Sequence, residues 1–288
     1  MITNLRIGLV ILALFLVTLV LLPFQLVGLA FDLKIRRYVP RYWHRAACFL
    51  LGIRIHVHGR LETRRPLMLA SNHVSWKDIM VLGAVADVIF IAKAEVAAWP
   101  LFGTLAKLQK CIFVVREDKR GTGKQVNEIA ARMNAGEIVV LFPEGTTSDG
   151  NRLMEVKSSL FGAAAAAAPE TPQGVVHVQP VAIAYTRVHG MAMGRYHRPI
   201  AAWPGDIELL PHLLGVLREG AIDVDVAFGD AIEFRAGDNR KHLSQAVTSR
   251  LRRMLIKHLR GHDYDAMTHG LDVPRHGPDS KSLENSAL

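Results

Sequence analysis

Pro66-Leu67-Met68-Leu69-Ala70-Ser71-Asn72-His73-Val74-Ser75-Trp76-Lys77-Asp78 runs from an apolar segment directly into a histidine, with an aspartate five positions further on. The short run at 66–70, bounded by polar residues, reads as a buried strand. A carboxylate near a strand-end histidine can hold one ring nitrogen protonated, which leaves the other nitrogen free to take a proton from an alcohol. If that alcohol is the substrate, the chemistry needs no serine or cysteine nucleophile. The plainer reading is a histidine that caps a helix whose first turn contains Asp78. The remainder of the chain has to decide between the two.

Working outward, strand-like and helix-like segments alternate. Ile53 to Val57 alternates apolar and polar residues, and further strand candidates fall at 66–70, 88–92, 111–115, 138–142, 175–185 and 222–228. Helix candidates lie between them at 76–84, 95–107, 121–134, 156–168 and 207–218, with the alanine run Ala163 to Ala168 extending the fourth. Such alternation points to an α/β fold, a central and mostly parallel sheet flanked by helices. A last amphipathic helix, Asn239 to Arg260, carries Leu243, Val247, Leu251, Leu255 and Ile256 on one side. From Gly261 the chain becomes polar and reads as a disordered tail, 261–288.

The N-terminal region differs in kind. Ile7 to Phe31 contains no charged residue, and about 20 apolar residues suffice to cross a bilayer core as a helix. The stretch exceeds the apolar part of a signal peptide, roughly 7–15 residues. It is expected to be an uncleaved membrane-anchoring helix, residues 1–33. A basic segment at 34–52 follows, with Lys34, Arg36, Arg37, Arg41 and Arg45 interleaved with Tyr38, Tyr42 and Trp43, and its part from Arg41 to Leu51 is amphipathic and reads as an interfacial helix. Only Arg6 precedes the apolar run, so the positive-inside bias places the body of the protein, 53–260, on the cytoplasmic side of the membrane. The formal net charge is +9. Nucleic acid, an anionic membrane surface or an acidic partner could each account for it, but the anchor favours the membrane. No helix-turn-helix, zinc-finger or RNA-binding signature supports a nucleic-acid partner. Two cysteines, Cys48 and Cys111, are too few for a disulfide framework, and no metal-ligand cluster is evident.

Three other segments share the ordering of the His73 stretch, in which an apolar run leads into polar groups. Cys111 to Val115 leads to Arg116. Leu141-Phe142-Pro143 leads to Glu144-Gly145-Thr146-Thr147-Ser148. Val178-Gln179-Pro180-Val181-Ala182-Ile183 is an apolar strand interrupted by proline. A parallel sheet gathers the C-terminal ends of its strands along one edge, where ligands bind, so His73, Arg116 and Glu144 are expected to meet there.

Together, and in this order, the four segments resemble the glycerolipid acyltransferase family, which includes the 1-acyl-glycerol-3-phosphate acyltransferases. The family's Asn-His-x-Ser-x-x-Asp is matched by Asn72, His73, Ser75 and Asp78. Its Gly-x-x-Phe-Ile-x-Arg is matched by Phe113, Val114 and Arg116, with Lys110 at the glycine. Its Phe-Pro-Glu-Gly-Thr-Arg-Ser is matched by Phe142 to Thr146 and Ser148, with Thr147 at the arginine. The likeness extends over residues 50 to 230. It implies transfer of a fatty acyl group from a thioester of acyl-carrier protein or coenzyme A to a lysolipid hydroxyl, with no cofactor and no metal. By that resemblance His73 is the base and Asp78 its orienting partner. Arg116, Glu144, Gly145 and Thr146 hold the acceptor's head group, Pro180 belongs to the acyl side, and Asn72 and Ser75 complete the substrate-binding set.

Lysophosphatidate, the family's commonest acceptor, is the first expectation for the lysolipid. An arginine grips a phosphate bidentately and a threonine cannot. Thr147 therefore makes an amino-acid lipid, lyso-ornithine lipid, the alternative acceptor. A lipid-binding protein without catalysis would not need His73, Asp78 and Glu144 together. A hydrolase would call for a Gly-x-Ser-x-Gly elbow, which the chain lacks.

Overall fold

The computed structural model describes residues 2–115, 122–205 and 207–260; Arg116 and the tail at 261–288 lie outside them. Helix α1 (Ile2–Ala30) and helix α2 (Ile35–Leu50) form an antiparallel hairpin. Strand β1 (Ile53–His58) follows, then β2 (Leu67–Ser71), α3 (Lys77–Val85) and β3 (Val88–Lys93). Next come α4 (Phe102–Leu108), β4 (Ile112–Val114), α5 (Thr122–Asn134) and β5 (Ile138–Leu141). The chain continues through α6 (Gly162–Ala167), β6 (Val175–Val188), the short β7 (Met191–Ala192) and α7 (Leu209–Glu219). It closes with β8 (Ile222–Phe228), β9 (Ile232–Arg235) and α8 (Arg240–Arg260).

One sheet orders its strands β1-β8-β6-β2-β5-β3-β4, with β7 and β9 also paired to β6. From β6 to β4 every neighbour is parallel, while β8 meets β6 antiparallel and β1 runs parallel to β8. Strand β2 lies at the centre and is buried throughout. Leu67 and Leu69 enter the core beneath α2 and α3, and Met68 and Ala70 the core beneath α5, α6 and α8. Burial on both faces explains why this strand reads as a continuous apolar run rather than an alternation.

Four differences from the sequence reading have local causes. The helix expected at 95–107 is divided: a 3-10 turn at 94–98 ends in extended Trp99, and α4 begins only after Pro100. Proline disfavours the helical conformation in the residue before it. The helix expected at 156–168 is shorter because Lys157 N donates to Pro143 O and holds that segment extended. Its alanines are buried against α5, where small side chains permit close approach. Helix α2 begins at Ile35, ahead of the expected 41, and contains Pro40. The Arg36 carbonyl that a Pro40 N–H would have met accepts instead from Gln25 Nε2 of α1 at 3.3 Å. Strands β7 and β9, too short or too polar to stand out, add to β6.

Helix α1 is apolar on all sides. One stripe, including Ile7, Val10 and Leu14, packs towards the domain, while Leu5, Leu9, Leu12, Phe15, Leu16 and Leu19 are exposed. Among the described residues it is the one helix long and apolar enough to cross a membrane. A helix with this much apolar surface is stable facing lipid. The chain is thus a mostly parallel α/β domain with an N-terminal apolar helix laid along it.

Candidate active site

The end of β2 is clamped to its neighbour by a side chain. Asn72 Oδ1 accepts from Ile183 N at 2.7 Å, and its Nδ2 donates to Ile183 O at 2.9 Å. The backbone of β2 leaves the ladder here, and the amide of Asn72 satisfies both polar groups of β6 that would otherwise be orphaned. The next residue, His73, is therefore delivered at a defined place on the C-terminal edge of the sheet.

Its main chain is held on both sides by the 142–148 turn. His73 N donates to Glu144 Oε1 at 2.6 Å, and His73 O accepts from Ser148 N at 2.9 Å. The other oxygen of Glu144 accepts from Met154 N at 2.8 Å. Glu144 is buried, and that burial pushes its carboxyl up to about 7 against the two backbone hydrogen bonds. Gly145 turns the chain at φ +72°, beside the side chain of Lys157; a side chain here would find room but would strain the backbone.

The imidazole is held as firmly as the backbone. His73 Nδ1 lies 2.8 Å from Asp78 Oδ2, and the ring stacks on Phe142 with centroids 3.9 Å apart. Asp78 Oδ2 also accepts from Val74 N at 2.7 Å and Ser75 N at 2.9 Å, while Oδ1 accepts from the Tyr185 hydroxyl at 2.8 Å. The carboxylate is wholly buried and sits in the first turn of α3, where the helix dipole favours an anion. Burial and the neighbouring Asp78 drive the Tyr185 phenol well above its ordinary value, so it remains a hydroxyl and a donor. Because Asp78 can only accept, Nδ1 of His73 carries the ring proton and Nε2 presents its lone pair. Among the described residues nothing bonds to Nε2, and the side chain is partly exposed. That is the disposition of a base awaiting an alcohol.

The fold brings most of the expected residues to one edge, although they occupy it differently. Asn72 and Glu144 hold the His73 loop in place. Ser75 is buried, and its Oγ accepts weakly from Lys77 N at 3.4 Å. Thr146 is exposed on the turn. Pro180 is buried in β6, opposite Ala70 of β2. Its carbonyl accepts from Gly229 N, so its ring nitrogen faces the β8–β9 connection, where no ladder asks for a donor. A proline is thereby tolerated inside a sheet. Arg116 lies outside the described residues, but its strand β4 is in place beside β3. Lys110, at the motif's glycine position, adopts φ +58°. That left-handed conformation explains why glycine suits the position and costs a lysine roughly 1–2 kcal/mol.

Sequence reasoning missed Tyr185 and Lys77. Period-two alternation places Tyr185 on the same sheet face as Val181 and Ile183, but not over Asp78. Lys77 is fully buried, donates to Ala201 O at 2.7 Å and lies beside the Trp76 and Tyr185 rings. Burial lowers its ammonium to about 7.

The acyltransferase family profile matches residues 53–184. A Rhizobium meliloti (strain 1021) protein, lyso-ornithine lipid O-acyltransferase, is 62% identical over 266 residues, covering 92% of this chain and 91% of that protein. The 1-acyl-sn-glycerol-3-phosphate acyltransferase of Neisseria gonorrhoeae is 34% identical over 108 residues, 37% of this chain and 42% of that one. Among solved structures, the 1-acyl-sn-glycerophosphate acyltransferase PlsC from Thermotoga maritima superposes with a TM-score of 0.62 at 20% identity, covering 88% of this chain and 97% of that one. It shares the fold.

Proposed function

The chain belongs to the acyltransferase family and is an O-acyltransferase acting on lysolipids, and from that premise we propose that its acceptor is lyso-ornithine lipid. The observation that carries this choice is the 62% identity, over nearly the whole chain, to a protein of that name. The lysophosphatidate enzyme of Neisseria gonorrhoeae is matched at 34% over little more than a third of this chain. Lysophosphatidate is the first expectation from the sequence, and the relatives favour the alternative acceptor. Thr147 fits the reversal, because a threonine cannot supply the bidentate grip that a phosphomonoester rewards.

In the proposed reaction His73 Nε2 removes the proton from the acceptor hydroxyl as the oxygen attacks the thioester carbonyl. The imidazolium that forms is stabilised by Asp78, itself held by Tyr185 and two backbone amides. As the tetrahedral intermediate collapses, the C–S bond breaks, and His73 returns its proton to the departing thiol. No acyl-enzyme is formed. The donor is a thioester of acyl-carrier protein or coenzyme A, both acidic, and the net charge of +9 suits either. The acceptor reaches the site from the membrane surface, where α1 and the basic α2 hold the domain on the cytoplasmic side.

The test is a membrane-fraction assay with one radiolabelled acyl thioester, offering lyso-ornithine lipid and lysophosphatidate in parallel to wild type and His73→Gln. Labelled ornithine lipid from the wild type alone is the expected result. Label confined to phosphatidate would refute the acceptor assignment and leave the mechanism. Undiminished transfer by the variant would refute the mechanism.

A further inference from the structure

Three side chains that the acyl-transfer site does not use converge on the opposite face of the sheet. His58 ends β1, Asp225 lies in mid-β8, and His258 lies in the last turn of α8. Asp225 pairs across the ladder with Ala184 of β6, while the next residue of β6, Tyr185, points to Asp78 from the other face. His258 Nδ1 is 2.9 Å from Asp225 Oδ2, and His58 Nε2 is 3.6 Å from the same oxygen. One donor atom from each residue falls within 4.8 Å of the other two, and the imidazole centroids are 4.5 Å apart.

We propose that His58, Asp225 and His258 form a site for a divalent transition-metal ion, zinc by preference, that fastens α8 to the β1–β8 edge. Donors held tetrahedrally about 2.0–2.1 Å from zinc stand about 3.3 Å apart. The observed 2.9 and 3.6 Å to Asp225 lie on either side of that separation, and the three donors lie within 4.8 Å of one another, so the ion draws the two imidazoles inward. Two imidazoles and one carboxylate suit zinc and disfavour the oxygen-seeking calcium and magnesium. His56, directly across from Asp225 in the ladder, is engaged instead by Asp223 at 3.0 Å. Burial raises the Asp225 carboxyl, but the hydrogen bond from His258 and the nearby His58 and His56 outweigh it and leave it below its ordinary value. A ligand carboxylate must be ionised, and this one is held so. The cation replaces the hydrogen bond between His258 Nδ1 and Asp225 Oδ2, and the single proton of the neutral ring moves to Nε2. His58 has the most exposed side chain of the three, 32% accessible, and a fourth ligand completes the tetrahedron. The ligands, at positions 58, 225 and 258, form no short sequence motif; two strands and the terminal helix assemble them.

The experiment uses the full chain in detergent, stripped with a chelator, then titrated with zinc by calorimetry and with cobalt(II) by visible absorption. Wild type is compared with Asp225→Asn and with the His58→Gln/His258→Gln double variant, each checked for folding by circular dichroism. The expected result is one zinc per chain, an intense tetrahedral cobalt spectrum, and a Tm that rises with zinc in the wild type alone. Each variant should bind at least about tenfold more weakly. Failure of the wild type to bind zinc, or a weak octahedral cobalt spectrum, would overturn the proposal without reference to any variant. Equal binding by the double variant would place the ion on other histidines and overturn it as well.

Discussion

Replacing Asp78 with asparagine separates the charge of the active site from its shape. An asparagine whose carbonyl oxygen occupies the Oδ2 position still accepts from His73 Nδ1, Val74 N and Ser75 N. Its amide nitrogen then faces the Tyr185 hydroxyl, which can rotate to accept. The imidazole keeps its tautomer and its orientation. Only the negative charge opposite the imidazolium is lost. Two unit charges about 4 Å apart at an effective dielectric constant of about 20 attract by about 4 kcal/mol. At about 1.4 kcal/mol per factor of ten, that is roughly a thousandfold in rate. We expect kcat for acyl transfer to fall about a thousandfold, with KM for donor and acceptor near the wild-type values and Tm within a few degrees. The assay is initial-rate transfer from a radiolabelled thioester by the detergent-solubilised protein, with a thermal melt of the same sample. A fall of less than about tenfold would mean that no positive charge builds on His73 in the transition state, and the general-base argument would then be wrong.

Asn72→Ala leaves the buried N–H and C=O of Ile183 without partners, at about 1–3 kcal/mol each, so urea denaturation should show a loss of roughly 2–6 kcal/mol; an unchanged midpoint would show that the clamp is idle. Glu144 has its folded value raised to about 7. The folded chain therefore holds a proton that the unfolded chain releases, and stability is greatest below about pH 4.5 and declines towards pH 7. The decline is on the order of 3 kcal/mol, and melts of Glu144→Gln across that window should lack it. Lys77, lowered to about 7, acts with the opposite sign: the folded chain sheds a proton early, so stability rises from about pH 7 towards 10.5, and Lys77→Met should remove that rise from the same melts. Thr147→Arg restores a bidentate phosphate partner and should raise kcat/KM for lysophosphatidate relative to lyso-ornithine lipid, as read from competing acceptors in one reaction; an unchanged ratio would separate position 147 from acceptor choice.

Local patterns in this chain determined a good deal. The apolar 66–70 run, the alternating strands and helices, and the uncharged segment from Ile7 to Phe31 specified an α/β domain with an apolar leading helix. Binary patterning and turn residues act within a few positions, and a sequence displays them directly. His73 and Asp78 could be paired from sequence because both belong to one strand-to-helix turn. Pairing across the fold was beyond that reach. Tyr185 meets Asp78 through β6, Gln25 meets Arg36 through the α1–α2 hairpin, and Glu144 takes both its bonds from backbone amides of other segments. Burial was equally illegible: nothing in its neighbours along the chain marks Lys77 as enclosed. The order of residues along the chain sufficed to say which chemical groups are available and on which elements they lie. That β2 sits between β6 and β5, so that the turn after it sets Asp78 against Tyr185, was decided by the assembled fold. That decision rests on long-range burial, because a strand apolar on both faces is stable only at the centre of the sheet.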